Sequence, residues 1–195
     1  MTKPFYFLFT LFIIFSCNSP NSADKPVEGD VEVVDISQVS NEKKEIVNEI
    51  KTFKKDLDEG NFEGIANHLD TPKRIEEIEL SLKNPKIRNS VESNSSRLSI
   101  EVIKNEYDLI YQELDLNIIN DALKVIPEEE LLTRDKAVTT VKVGECDYFT
   151  EVSISGKDVK FNIKSESQSE NCKKSQQWKF ISNGESLVLD RRYYL

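Results

Sequence analysis

Few residues in this chain are equipped for covalent or acid–base chemistry. His68, in the stretch "ANHLD", is the single histidine, and Asp70 stands two positions on. A histidine beside a carboxylate can take up and release a proton near neutral pH. The same histidine closing a short helix would instead complement the negative end of the helix dipole, and the spacing favours a cap or a surface position over catalysis. No GxSxG sequence occurs, and the 6 glycines are too scattered to build a phosphate-cradling loop. The acidic runs Glu76-Glu77-Glu79 and Glu128-Glu129-Glu130 lack the alternating oxygens and the glycine turn of a calcium loop, so they read as solvated charge. No residue is assigned a catalytic or metal-binding role, and no cofactor is implied.

The cysteines point to location. The apolar run from Phe5 to Phe15 follows a short start bearing Lys3 and ends at Ser16-Cys17. A helix over that run would be about 16 Å long, roughly half of a ~30 Å hydrocarbon core, which is too short to span it. A charged start, an apolar stretch and a small residue before the break describe a secretory signal peptide over residues 1–16. The sequence Ile14-Phe15-Ser16-Cys17 resembles the lipobox of bacterial lipoproteins, although the lipobox commonly has a smaller residue at the position of Phe15. The resemblance implies that Cys17 becomes an acylated, palmitate-bearing N-terminus held in the membrane of the cell envelope. The alternative is an ordinary signal peptide with an uninvolved cysteine.

With Cys17 set aside, Cys146 and Cys172 remain, 26 positions apart and with no CxxC motif. An even number of cysteines in a chain bound for an oxidising compartment suggests a disulfide. Two separate buried thiols are the alternative. Zinc would require closely spaced Cys/His pairs, which are absent.

Charge excludes one class of partner. The chain carries a net charge of -9, and −10 once residues 1–16 are removed, since they hold Lys3 and no acid. Such a chain is repelled by phosphate backbones and gains nothing from counterion release, so nucleic acid is not its partner. Against that background Lys173, Lys174, Lys179, Arg191, Arg192, Tyr193 and Tyr194 form a local basic and aromatic cluster. Arginine and tyrosine are enriched where proteins meet, which makes the cluster a candidate interface. The alternative is a charged edge strand protected from aggregation.

The elements that must position these residues come from periodicity. Residues 17–40 mix proline, serine and acids and read as a tether, reaching about 25 Å on average. Residues 41–126 read as helical. Ser40 is placed as an N-cap, Ile46, Val47, Ile50, Phe53 and Leu57 form an apolar stripe, and Gly60 stops the helix. A short helix over about residues 62–69 follows. Thr71-Pro72 predicts the start of a third, with Ile75, Ile78 and Leu82 on one side. Residues 84–96 read as an exposed loop. Ile103, Tyr107, Ile110, Leu114 and Ile118 keep one further helical stripe, running to Ile126 or breaking near Asp115, and Pro127 begins the end of helical territory.

From residue 135 onward five segments alternate at period two and are rich in β-branched and aromatic residues. Pairing around Gly156-Lys157 sets Ile154 against Val159, Val152 against Phe161 and Thr150 against Ile163. Asn183-Gly184 predicts a two-residue hairpin turn, with Phe180 opposite Leu187 and Trp178 opposite Leu189. The expected fold is α+β: N-terminal helices packed on one face of a C-terminal antiparallel meander of about five strands, in one domain over residues 41–195. That order is faintly similar to the nuclear transport factor two-like superfamily, which implies a pocket between helices and sheet. The chain is expected to act as a non-catalytic binding module for an unknown protein partner. The alternative is a small-ligand or hydrolase domain with a pocket near Trp178 and Tyr107.

Overall fold

The computed structural model describes residues 38–166, 169 and 171–195. Cys17, the apolar run before it and most of the expected tether lie outside the described residues. The described residues belong to one compact unit. Its elements are helices α1 (Asn41–Glu59) and α2 (Phe62–His68), strand β1 (Lys73–Arg74), helix α3 (Pro85–Ser93), strand β2 (Arg97–Leu98), helices α4 (Ile100–Asn105), α5 (Tyr107–Glu113), α6 (Leu116–Val125) and α7 (Glu128–Thr133), and strands β3 (Lys136–Val143), β4 (Cys146–Ser155), β5 (Asp158–Ser165), β6 (Gln176–Ser182) and β7 (Leu187–Tyr194). The five long strands form one antiparallel sheet in sequence order, β3-β4-β5-β6-β7. The fold is α+β, with helices first and the meander last.

Helix α1 forms as its sequence dictates. Ser40 Oγ accepts from the Lys43 amide at 3.2 Å, and Gly60, at φ 62°, ends the helix in the left-handed region. Ile46, Val47, Ile50, Phe53 and Leu57 are all buried. Phe53 sits against the rings of Phe161 and Phe180, so this stripe joins the helical layer to the sheet.

The sheet's inner face carries Val152, Ile154, Val159, Phe161, Ile163, Trp178 and Phe180, all buried. The β4–β5 pairing has Ile154 opposite Val159, Val152 opposite Phe161 and Thr150 opposite Ile163, as the alternation predicts. Cys146 and Cys172 lie at disulfide distance, with Cα atoms 5.7 Å apart, and tie the start of β4 to the segment before β6.

Four expectations are corrected. Thr71-Pro72 does not open a helix. The chain forms β1, paired with β2, then a 3-10 turn over Ile75–Glu77, with Ile75 and Ile78 still buried. Tertiary bonding overrides the local cap signal here, because Lys73 is drawn inward to the Leu189 carbonyl. Residues 84–96 are not all loop. Asn84 caps α3 through Lys86, Pro85 takes the first position, and Ile87 and Val91 bury one side. Pro127 does not end helical structure, since it precedes α7. The stripe from residue 100 is cut into α4, α5 and α6, and the cut at Asp115, at φ 56°, is the break that the sequence allowed there.

The fourth correction concerns register. Phe180 faces Leu189 and Trp178 faces Arg192, so the predicted pairing is displaced. Asn183 Oδ1 accepts from both Glu185 and Ser186 amides, which makes the turn four residues long instead of two. A bulge then inserts Asp190 between Leu189 and Arg191. One extra residue reverses which side chains face inward from there on.

Candidate interface

The bulge at Asp190 decides the fate of the basic cluster. Before it, Leu187 and Leu189 face the core; after it, Arg192 does. Arg192 is 2% exposed, whereas its neighbour Arg191 is exposed. The cluster that looks continuous in sequence is divided three ways. Lys173 and Lys174 lie on the segment before β6, Lys179, Arg191 and Tyr193 on the outer face, and Arg192 and Tyr194 on the inner side. Arg192 is therefore no surface contact for a partner.

What Arg192 does instead is close the interior. Its Nε donates to Gln176 Oε1 at 2.7 Å, and its terminal nitrogens donate to the carbonyls of Ile78 and Glu79, to Asp115 Oδ2 at 3.2 Å and to Tyr194 Oη. Its guanidinium lies 5.2 Å from the Trp178 ring centre and 4.9 Å from that of Tyr194. The Ile78 and Glu79 carbonyls are free to accept because that segment is not helical. Gln176 Nε2 donates to Asp115 at 2.9 Å, and Trp178 Nε1 to Gln176. Burial pushes the Asp115 carboxyl above its usual range, against the opposing pull of Lys173, Gln176 and Arg192.

Asp115 also marks a point where this buried network meets a cleft. A cavity of about 400 Å³ is lined by Asn84, Asp115, Asn117, Tyr148 and Lys173, among others. Lys173 Nζ reaches Asp115 Oδ1 at 3.3 Å, and Tyr148 Oη accepts from the Lys173 amide at 2.8 Å. The carboxylate's oxygens are thus already engaged from both sides. Trp178 itself is fully buried and packs against Phe180, Gln176 and Arg192. Tyr107, the other residue expected near a pocket, meets the Phe62 ring edge-on and the Tyr111 ring at a tilt.

His68 is neither a surface cap nor an accessible acid–base group. It is 1% exposed. Its Nδ1 donates to the Leu187 carbonyl at 2.7 Å, and its Nε2 lies 3.1 Å from Asp56 Oδ2. Asp56, not Asp70, is its partner, and Asn61 donates to the other Asp56 oxygen. The carboxylate is so close to α2 that a Cβ at Gly64 would lie 2.2 Å from it. This cluster fastens α1 and α2 to β7. Sequence reasoning missed it because Asp56 is twelve residues from His68, on a different helix. Among the described residues no group of three His, Cys, Asp or Glu could hold a metal ion, and no helix is long and apolar enough to cross a membrane.

The sheet's outer face presents the accessible cations. One row crosses all five strands through Lys136, Ser153, Lys160, Lys179 and Arg191, each opposite the next. Lys179 bridges Asp158 and Asp190 at 3.2 and 3.3 Å, and Lys136 reaches Glu151. Lys160 has no ion-pair partner among the described residues. The adjacent row runs Val138, Glu151, Asn162, Gln177 and Tyr193. Asn162 donates to Glu151 at 2.9 Å, Gln177 to Asn162, and Tyr193 to Gln177. Val138 and Ile181 are 50% and 39% exposed on the same face. Lys142 and Lys164 add further charge, so cations outnumber the acids Asp147, Glu151, Asp158 and Asp190 on this face. In a chain of net charge -9 that is a local inversion of sign. No protein-family model, curated protein or solved structure matches this chain.

Proposed function

We propose that this protein is a lipid-anchored binding module of the bacterial cell envelope that engages a protein partner through the outer face of its sheet and catalyses nothing. The observation that carries the binding reading is the basic row from Lys136 to Arg191, edged by Val138, Ile181 and Tyr193, on a face that no described helix covers. A mixed surface of arginine, aromatic and aliphatic groups suits protein recognition, and its sign favours an acidic partner. The full burial of Trp178, packed on Phe180 and Arg192, argues against the small-ligand or hydrolase alternative. So does the burial of His68, which leaves the chain's sole imidazole without access to a substrate.

The envelope location rests on the lipobox-like Ile14-Phe15-Ser16-Cys17 and on the cysteine pair at disulfide distance, which suits an oxidising compartment. Affinity capture of the tagged protein from its own cells tests the reading. The wild type should recover a partner that the charge-reversed variant Lys160→Glu/Arg191→Glu loses, with both proteins melting alike. Equal recovery by both would remove the outer face from the account.

A further inference from the structure

The two edges of the sheet are finished differently. On β7 three of the outward backbone groups are capped by side chains: the Leu187 carbonyl accepts from His68 at 2.7 Å, the Leu189 carbonyl accepts from Lys73, and the Tyr194 amide donates to Glu79 Oε2 at 3.1 Å. No strand can add there without displacing buried groups. On β3 the Asp135 carbonyl accepts from the Ile154 amide at 2.9 Å, which fixes the phase of the ladder. Odd-numbered residues of β3 bond to β4, so Lys136, Val138, Thr140 and Lys142 direct their N–H and C=O groups away from the sheet. All four are exposed, and among the described residues none of these backbone groups has a partner.

An open edge of this kind is a template for another chain. The two lysines decide which chain. A second copy pairing antiparallel along the whole edge would set Lys136 against Lys142 twice, and directly opposed like charges repel. An extended segment with an acid at each end meets the same two lysines with opposite charge. It would lay apolar or β-branched side chains beside Val138 and Thr140. We propose that β3 is the docking edge, taking an extended acidic segment of the partner protein as a sixth, antiparallel strand. This rests on reading the domain as a binding module and specifies how the partner is held.

Amide exchange by NMR on the isotope-labelled protein tests it, with a short peptide of alternating valine and threonine ending in aspartate at both ends as probe. In the free protein the amides of Val138, Thr140 and Lys142 should exchange about a hundredfold faster than those of Thr139 and Val141, which bond to β4. The peptide should slow these three amides about tenfold or more, and the same peptide with lysine at both ends should bind about tenfold more weakly. Thr140→Pro removes one outward N–H without touching the β4 ladder and should weaken the acidic peptide about fivefold or more. Slow exchange at the three amides in the free protein would overturn the proposal. Equal binding of the two peptides would overturn its charge argument. Binding that shifts Lys160, Lys179 and Arg191 without slowing the edge amides would overturn strand addition while leaving the binding-module reading in place.

Discussion

Arg191 and Arg192 are adjacent, identical in chemistry and, on this structure, opposite in consequence. Arg192→Met should destabilise the domain by about 3–5 kcal/mol, because removing one partner of a buried pair leaves the other charge uncompensated. The loss has identifiable parts. Asp115, 2% exposed at its side chain, would keep the Gln176 amide and, as its only opposite charge among the described residues, Lys173, which is 44% exposed. The Gln176 Oε1 and the Ile78 and Glu79 carbonyls would each lose a donor. Arg191→Met removes one 3.5 Å contact to Asp190 from a side chain 63% exposed and should cost at most about 1 kcal/mol.

For a domain of this size 1 kcal/mol moves the melting temperature by about 2–4 °C, so the two variants should separate by roughly 4–20 °C. Urea unfolding gives the free energies directly, and an unchanged slope would show that the unfolded state is not the cause. Adding Asp115→Asn to Arg192→Met should recover about 1–3 kcal/mol, since a neutral amide tolerates the site better than an unpaired carboxylate and asparagine accepts the left-handed backbone. If Arg191→Met proves the costlier change, the bulge at Asp190 is misplaced and the assignment of sheet faces after it fails.

Three further outcomes are expected. Both oxygens of Glu49, a residue 5% exposed, lack a hydrogen-bond partner among the described residues, so Glu49→Met should raise stability by about 1–3 kcal/mol, and a lower melting temperature would contradict this. Burial, with Tyr111 and Asp108 nearby, pushes the Tyr107 hydroxyl up to about 12. The fold therefore favours the protonated phenol, and its contribution, complete below pH ~10, should be lost as pH rises towards ~12. Tyr107→Phe should flatten that alkaline loss in melts taken across the same range, and an unchanged slope would refute the assignment. Mass spectrometry of the protein from its own cells should find residues 1–16 missing and acyl chains on Cys17, and an unmodified Cys17 would defeat the anchor.

The parts of the fold that were legible in sequence are those fixed by local periodicity. The β4–β5 register follows from alternation about Gly156-Lys157, and α1 from its cap, stripe and stop. What was not legible depends on contacts distant in sequence. Thr71-Pro72 carries a valid helix-start signal, yet Lys73 bonds to β7, more than a hundred positions away. The α3 helix did leave a trace, Asn84-Pro85 followed by Ile87 and Val91 four apart, but it was outweighed by the polar residues around it. The bulge left only a weak one: Asp190-Arg191-Arg192 are three polar residues in succession, which strict alternation does not allow. That interruption kept Arg192 out of the expected inner face and put it in the surface cluster. The His68–Asp56 pair could not be read because nothing in local sequence says which helix face will meet another.

The central claim, that partners meet the outer face of the sheet, is tested most directly by photocrosslinking in the cells that make the protein. A photoreactive residue replacing Ser153, in the middle of the basic row, should yield a discrete higher-mass adduct. The same residue replacing Thr52, exposed on α1 at the opposite layer, should yield none. An adduct from Thr52 with none from Ser153 would place the partner on the helices and contradict the account.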